Sequence, residues 1–202
     1  MRKFARTLLA VVVSAPLAAT AWAQTGSQPP QMTPEQQAEM EIYMKAGMPG
    51  DQHKAMAAAA GSYDLKIKSW MEPGAPPMES AGTAKRSMAL EGRVMVEEIN
   101  SSMMGTPFMG HGMTGYDNVT GKYWSTWNDS MSTGVMLSEG TCDATGKSCT
   151  FAGTTNDAIT KKAMKLRMNS KWTTATTEVF EMYGPAKDGK EFKMMEITYT
   201  KK

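Results

Sequence analysis

The chain has 202 residues, with 22 Lys plus Arg against 20 Asp plus Glu, 21 methionines, two histidines and two cysteines. That length suits one ordinary domain with a real core. The near balance of charge, with no basic stripe interleaved with aromatics, argues against a nucleic-acid surface.

The first 23 residues read as a signal peptide. Arg2, Lys3 and Arg6 form a positive start, Leu8 to Ala19 an apolar run, and Ala21-Trp22-Ala23 a small-residue cleavage site, so cleavage is expected after Ala23. The apolar run is too short for a permanent transmembrane anchor, and no cysteine near the cut offers a lipid attachment point. A periplasmic or secreted protein with no stable membrane anchor after cleavage is therefore expected. Its mature chain would have 179 residues, with 19 basic against 20 acidic, so the basic pI belongs to the signal.

Residues 24–32 are polar and proline-containing, a disordered leader by composition. Residues 33–60 carry two helical signals. Thr33 stands as N-cap, Pro34 occupies the first helical position, and Gln36 closes a capping box; Gly47 and Pro49 stop this helix. Asp51 caps a second, shorter helix that ends at Gly61.

From residue 61 to 202 the texture is β. About ten short runs, from "SYDLKIKSWM" to "EFKMMEITYTKK", are separated by Gly, Asn-Asp or Lys-Asp-Gly turn signals. Consecutive hairpins with no helices between them close most easily as an antiparallel up-and-down β-barrel. In "AMKLRMNSKW", Met164, Leu166, Met168 and Trp172 share one face and Lys165 and Arg167 the other; the segment also holds good helix formers, but its Thr-rich flanks favour strand. The only cysteines lie in "CDATGKSC". A two-residue turn at Thr145-Gly146 would pair Cys142 with Cys149 across adjacent strands as a disulfide. A metal pair is the weaker reading, since no third or fourth ligand is near.

The stretch "HGMTGYDNVTGKYWSTWNDSMSTG", residues 111–134, concentrates the reactive side chains. Asp117-Asn118 opens a turn and Gly121 ends it, making neighbouring antiparallel strands of its two halves. On the second strand Tyr123, Ser125, Trp127, Asp129 and Met131 share one face, and Trp124, Thr126, Asn128 and Ser130 the other. Each face carries a tryptophan, so periodicity leaves the inward one open.

Together with "LEGR" at Leu90–Arg93 and the terminal "MMEITYTKK", this block resembles the uncharacterised bacterial family called domain of unknown function 1579, over about Gln52 to Lys202. The resemblance implies a lipocalin-like, or calycin, β-barrel with a short N-terminal helix closing one end, and implies no established activity. Calycin barrels often begin Gly-x-Trp and end with a basic residue over that indole. Gly61-Ser62-Tyr63 and Lys201 or Lys202 stand at those places here, with Tyr63 able to plug the floor.

Four functional readings follow. A barrel of about ten strands leaves room for a guest, so the leading one is binding of a small apolar or amphipathic ligand, with Arg86, Tyr116, Trp127, Asp129 and Glu196 as candidate contacts. The second is Cu(I) binding by Met109, His111 and Met113, which would face one way on a strand, thioether and imidazole suiting that ion. Gly110 and Gly112 make a flexible loop an equal reading of this segment, and methionine is also an ordinary core filler, as in the helical stripe Met40, Met44, Met48. The third is a haem-binding barrel of the nitrobindin kind with His111 as axial ligand. Fourth, a hydrolytic set of His111, Asp117 and Ser125 or Ser130 is conceivable, but no nucleophile signature such as G-x-S-x-G accompanies it. No cofactor is named by any motif, and a structural envelope role or an enzyme of another chemistry fits the same residues.

Overall fold

The computed structural model describes residues 32–202; the expected signal peptide and all but the last residue of the leader lie outside the described residues. Met40–Lys202 form one compact unit. Helix α1 (Pro34–Ala46) begins as its sequence predicts. The Thr33 amide donates to Gln36 Oε1 (2.9 Å), and the Gln36 amide to Thr33 Oγ1 (3.2 Å). Helix α2 (Asp51–Ala58) starts one residue earlier than expected, with Gly50 as N-cap, whose amide donates to His53 Nδ1 (3.0 Å). No helix among the described residues is long and apolar enough to cross a membrane.

Ten strands follow: β1 (Gly61–Ser69), β2 (Met78–Ala89), β3 (Val94–Met103), β4 (Thr106–Asp117), β5 (Lys122–Asp129), β6 (Met136–Cys142), β7 (Ser148–Asn156), β8 (Ala163–Trp172), β9 (Thr177–Pro185) and β10 (Glu191–Lys201). Each pairs antiparallel with its sequence neighbour, and β1 with β10 closes the barrel. The fold is thus the up-and-down barrel read from the hairpin spacing. Closure leaves no unpaired sheet edge.

Register fixes which side chains enter the lumen. Residues directly opposite in antiparallel strands share a face, so Tyr63↔Ala84↔Ile99↔Gly110↔Asp129 and Gly112↔Trp127↔Met136 mark the inside. The open question about β5 is settled: Tyr123, Ser125, Trp127 and Asp129 point in, and Trp124, Thr126 and Asn128 point out. Residues 109–113 are strand rather than loop, for a steric reason. The Trp127 indole lies flat across Gly110 and Gly112; a Cβ at Gly110 would collide with the ring, and one at Gly112 would stand 3.1 Å from Cε3. The two glycines are what let an indole lie along the wall.

The β4–β5 turn forms as read, with the Gly121 amide donating to the Asp117 carbonyl (2.8 Å) and Gly121 at φ +70°. Cys142 and Cys149 pair in register and are disulfide-bonded. Their connection differs from a two-residue turn: the Gly146 amide bonds the Asp143 carbonyl (3.0 Å), while Asp143 Oδ1 accepts from the Thr145 and Lys147 amides (2.9 and 3.0 Å). An aspartate able to hold three donors, the Thr145 hydroxyl being the third, favours this longer loop.

The core lies on one side of the interior. Tyr63, Leu65, Ile67, Ala84, Ile99, Ile197 and Tyr199 are buried together from β1, β2, β3 and β10, with Phe108, Trp127, Trp172 and Phe180 against them. Burying each large apolar side chain stabilises the fold by about 1.5–3 kcal/mol. The rest of the lumen is not filled.

Candidate functional site

The barrel interior holds a cavity of about 960 Å³. Up-and-down topology puts alternate loops at alternate ends, and the two ends differ. At one, α2 lies across the barrel: Ala55, Met56 and Ala59 line the cavity, Tyr63 Oη donates to the Ala59 carbonyl (2.5 Å), and Lys201 Nζ to the Ala58 carbonyl (3.0 Å). Residues 70–77, 104–105 and 130–135 rim the other end. There the lining includes Met71 and Met104, which are 75% and 81% exposed, so the cavity opens to solvent.

Twelve of the chain's 21 methionines line this cavity, among them Met95, Met136, Met164, Met168, Met182 and Met195. They arise from strand alternation, Met164-Leu166-Met168 on β8 and Phe180-Met182 on β9 being inward pairs of one face. Unbranched thioether side chains adapt to a guest of irregular shape without a large rotamer cost to the wall.

Near the helix-covered end sits a buried ionic cluster. Arg86 donates through Nε to Glu97 Oε1 (2.6 Å) and through Nη1 to Glu178 Oε2, and Ser170 Oγ donates to Glu178 Oε1. The guanidinium lies over the rings of Tyr199 and Tyr63, 4.4 and 5.0 Å from their centroids. Arg86 and Glu178 side chains are each 7% exposed, and Glu97 is 17% exposed on the cavity wall. Burial opposes the charge on Arg86, but the two carboxylates outweigh it and hold its pKa well above the ordinary arginine value. Burial likewise pushes the Tyr199 phenol well up, so it stays neutral.

The expected site residues separate into groups. Arg86, Trp127 and Asp129 line the cavity, with Trp127 Nε1 donating to Asp129 Oδ2 (3.0 Å). Tyr116 points inward but beneath α2, its ring 6.0 Å from that of the buried His53 and 4.9 Å from Tyr123, and is not part of the cavity wall. Glu196 is a correction. It lies on the outer face opposite Glu181 and receives Lys193 Nζ (2.5 Å), because strand alternation places Met195 and Ile197, not Glu196, inside.

Met109, His111 and Met113 do share one face of β4, but it is the exposed outer one. His111 sits between Glu98 and Asn128 across the sheet. It therefore cannot reach the lumen as an axial ligand. The hydrolytic set is not assembled either. Ser125 points in while His111 points out, Ser130 Oγ accepts from the Met109 amide (3.1 Å), and the Asp117 carboxylate is occupied by the Val119 amide and the Thr120 hydroxyl. Those two bonds hold Asp117 below the usual carboxylate range.

Calycin analogy also misplaced the basic partner of Tyr63. Lys201 packs against Gly61 and bonds the helix, whereas the cation over the Tyr63 ring is Arg86 from β2. Glu97, Glu178 and Ser170 were not legible as partners. The one available signal was that Glu178 falls in phase with Phe180 and Met182, a carboxylate on an otherwise apolar face.

Comparison with known proteins agrees on the fold. The protein is similar to the crystal structure of Rv2717c from M. tuberculosis, with TM-score 0.59 and 12% identity, covering 77% of this chain and 99% of that one. It is also similar to an S-type phycobiliprotein lyase, CPES, from Guillardia theta, with TM-score 0.52 and 11% identity, covering 79% and 96%. At such identities the likeness is one of fold. No curated protein matches the chain. A family model described as "Protein of unknown function (DUF1579)" matches residues 48–201, from just before α2 through β10, and the chain belongs to that family.

Proposed function

We propose that this chain binds a small apolar or amphipathic molecule in its barrel lumen, and does so in the periplasm or outside the cell. The observation that carries the reading is the cavity of about 960 Å³, open at one end and walled mainly by methionine and aromatic side chains. Its size lies at the upper end of small-molecule pockets, which are typically about 300–1,000 Å³. Short side chains on the wall, Ser101, Thr114, Ser125 and Ser138, leave that space open. The likeness to a phycobiliprotein lyase agrees with a barrel that takes a guest. Export is supported by the N-terminal sequence pattern and by the Cys142–Cys149 disulfide, which persists in oxidising compartments.

A twelve-carbon chain entering the lumen gains roughly 0.8 kcal/mol per methylene, about 9 kcal/mol in all. Association and ordering cost at least about 4 kcal/mol, which leaves about 5 kcal/mol and a Kd on the order of 0.1–1 mM. Titration of a neutral naphthylamine dye, read by fluorescence enhancement, with competition by dodecanol, measures this. Met182→Trp, which puts a bulky ring on the cavity wall, should weaken the enhancement while preserving the thermal melt. Equal binding by wild type and Met182→Trp would remove the lumen as the site.

A second reading, Cu(I) capture by Met109, His111 and Met113, is supported by their shared exposed face on β4. Equilibrium dialysis with Cu(I) tests it, and binding that survives His111→Ala with Met113→Ala would discard it.

A further inference from the structure

The cavity wall carries one cation and four carboxylates: Arg86 against Glu97, Glu178, Asp129 and Glu79, with no lysine or histidine among its lining residues. Glu79 belongs to the outer rim and is offset by Lys68 at 3.8 Å. Asp129 stands near the mouth, engaged by the Trp127 indole and the Met131 amide. Deep inside, the one guanidinium of Arg86 bonds two carboxylates at once. The cluster thus holds one more acidic group than basic ones, in a poorly screened setting.

Arg86 is largely committed to its own carboxylates: Nε and Nη1 are taken by Glu97 and Glu178, and the Tyr199 and Tyr63 rings lie against the guanidinium, which leaves Nη2 as its one nitrogen without a hydrogen bond. Glu97 is different, because it keeps part of its carboxylate side chain on the cavity wall after bonding Arg86. The group a guest meets at the closed end is thus a carboxylate.

Resting on the lumen-binding reading, we propose that the barrel selects amphiphiles with a cationic or neutral hydrogen-bond-donating head, such as alkylamines and alcohols. Fatty acids and other anionic amphiphiles are rejected. The apolar tail lies among the methionines of the open half, and the head reaches Glu97. Attraction and repulsion of unit charges at a few ångströms in such a site are strong enough to dominate tail-matched comparisons.

Dodecylamine, dodecanol and dodecanoate, matched in tail and kept below their micellar concentrations at neutral pH, are competed against the naphthylamine dye. The expected order is amine, then alcohol, then carboxylate, with the amine at least about tenfold tighter than the carboxylate. In Glu97→Gln, checked for folding by circular dichroism, the amine-to-carboxylate ratio should fall at least about threefold, since the cluster becomes neutral. Should that variant not fold, the wild-type series still decides. Equal binding of all three leaves the lumen reading standing and overturns the charge selection. Tightest binding by dodecanoate also overturns it, because Arg86 would then outweigh its two carboxylates toward the guest. If none of the three, nor the dye, binds, the lumen reading falls and this proposal with it.

Discussion

Replacing Arg86 by methionine isolates the energetic role of the buried ionic cluster. The new side chain resembles the aliphatic stem of the old one, so tyrosine packing is largely kept while the charge disappears. Glu97 can turn toward cavity water, being 17% exposed, but Glu178 at 7% has only the Ser170 hydroxyl left as a donor. Removing one partner of a buried ion pair costs about 3–5 kcal/mol, because the other charge stays in place without compensation. For a domain of this size each kcal/mol lowers Tm by roughly 2–4 °C, so a fall of about 6–20 °C is expected. Urea and thermal melts of wild type, Arg86→Met, and Arg86→Met combined with Glu178→Gln measure it. The double variant should recover at least half of the loss, since a neutral amide replaces the stranded carboxylate. A loss below about 1 kcal/mol for Arg86→Met, or no recovery in the double variant, would show that the cluster is more hydrated than its geometry implies.

Gly110→Ala should force the Trp127 indole off the wall; overpacking of this kind costs about 1–3 kcal/mol, and a shift in tryptophan emission should accompany the lower melting point. Removing the Cys142–Cys149 bridge with a pair of alanines should cost about 2–3 kcal/mol in a urea melt, the loop-closure value for so short a loop, and no loss under oxidising conditions would refute the pairing. On the outer wall, the hydrogen bond from Lys193 holds Glu181 below the ordinary carboxylate range. The folded form therefore binds this proton less readily than the unfolded one, so the contribution is present at neutral pH and lost as acid carries the carboxylate through its folded pKa. Lys193→Met should flatten the acid limb of stability between about pH 5 and 3, and an unchanged limb would remove Glu181 from it. Leu65→Ala, at a fully buried position, should cost about 2–5 kcal/mol by denaturant melt.

Short-range signals carried most of the architecture. The capping box of Thr33 and Gln36, the turn from Asp117 to Gly121 and the pairing of Cys142 with Cys149 are local events within a few residues of chain, so the residues there determine them. Ten alternating runs joined by tight turns leave an up-and-down sheet with few ways to hide its apolar face, and closure is the simplest. What sequence could not supply was the direction of each face where both were equally apolar. Trp124 and Trp127 differ by three positions, and only the register of β4 against β5, with glycines inside to receive Trp127, decides between them. The same limit placed Glu196 among the wall residues although it faces out, and pointed to Met109 and Met113 as metal ligands while twelve other methionines line the cavity. Arg86 could be named from its strand, but its partners Glu97 and Glu178 come from β3 and β9, eleven and 92 residues away. Alternation along one strand is a property of that strand alone; a cavity, its charge and its mouth belong to all ten together, and exist only once the last pairs with the first.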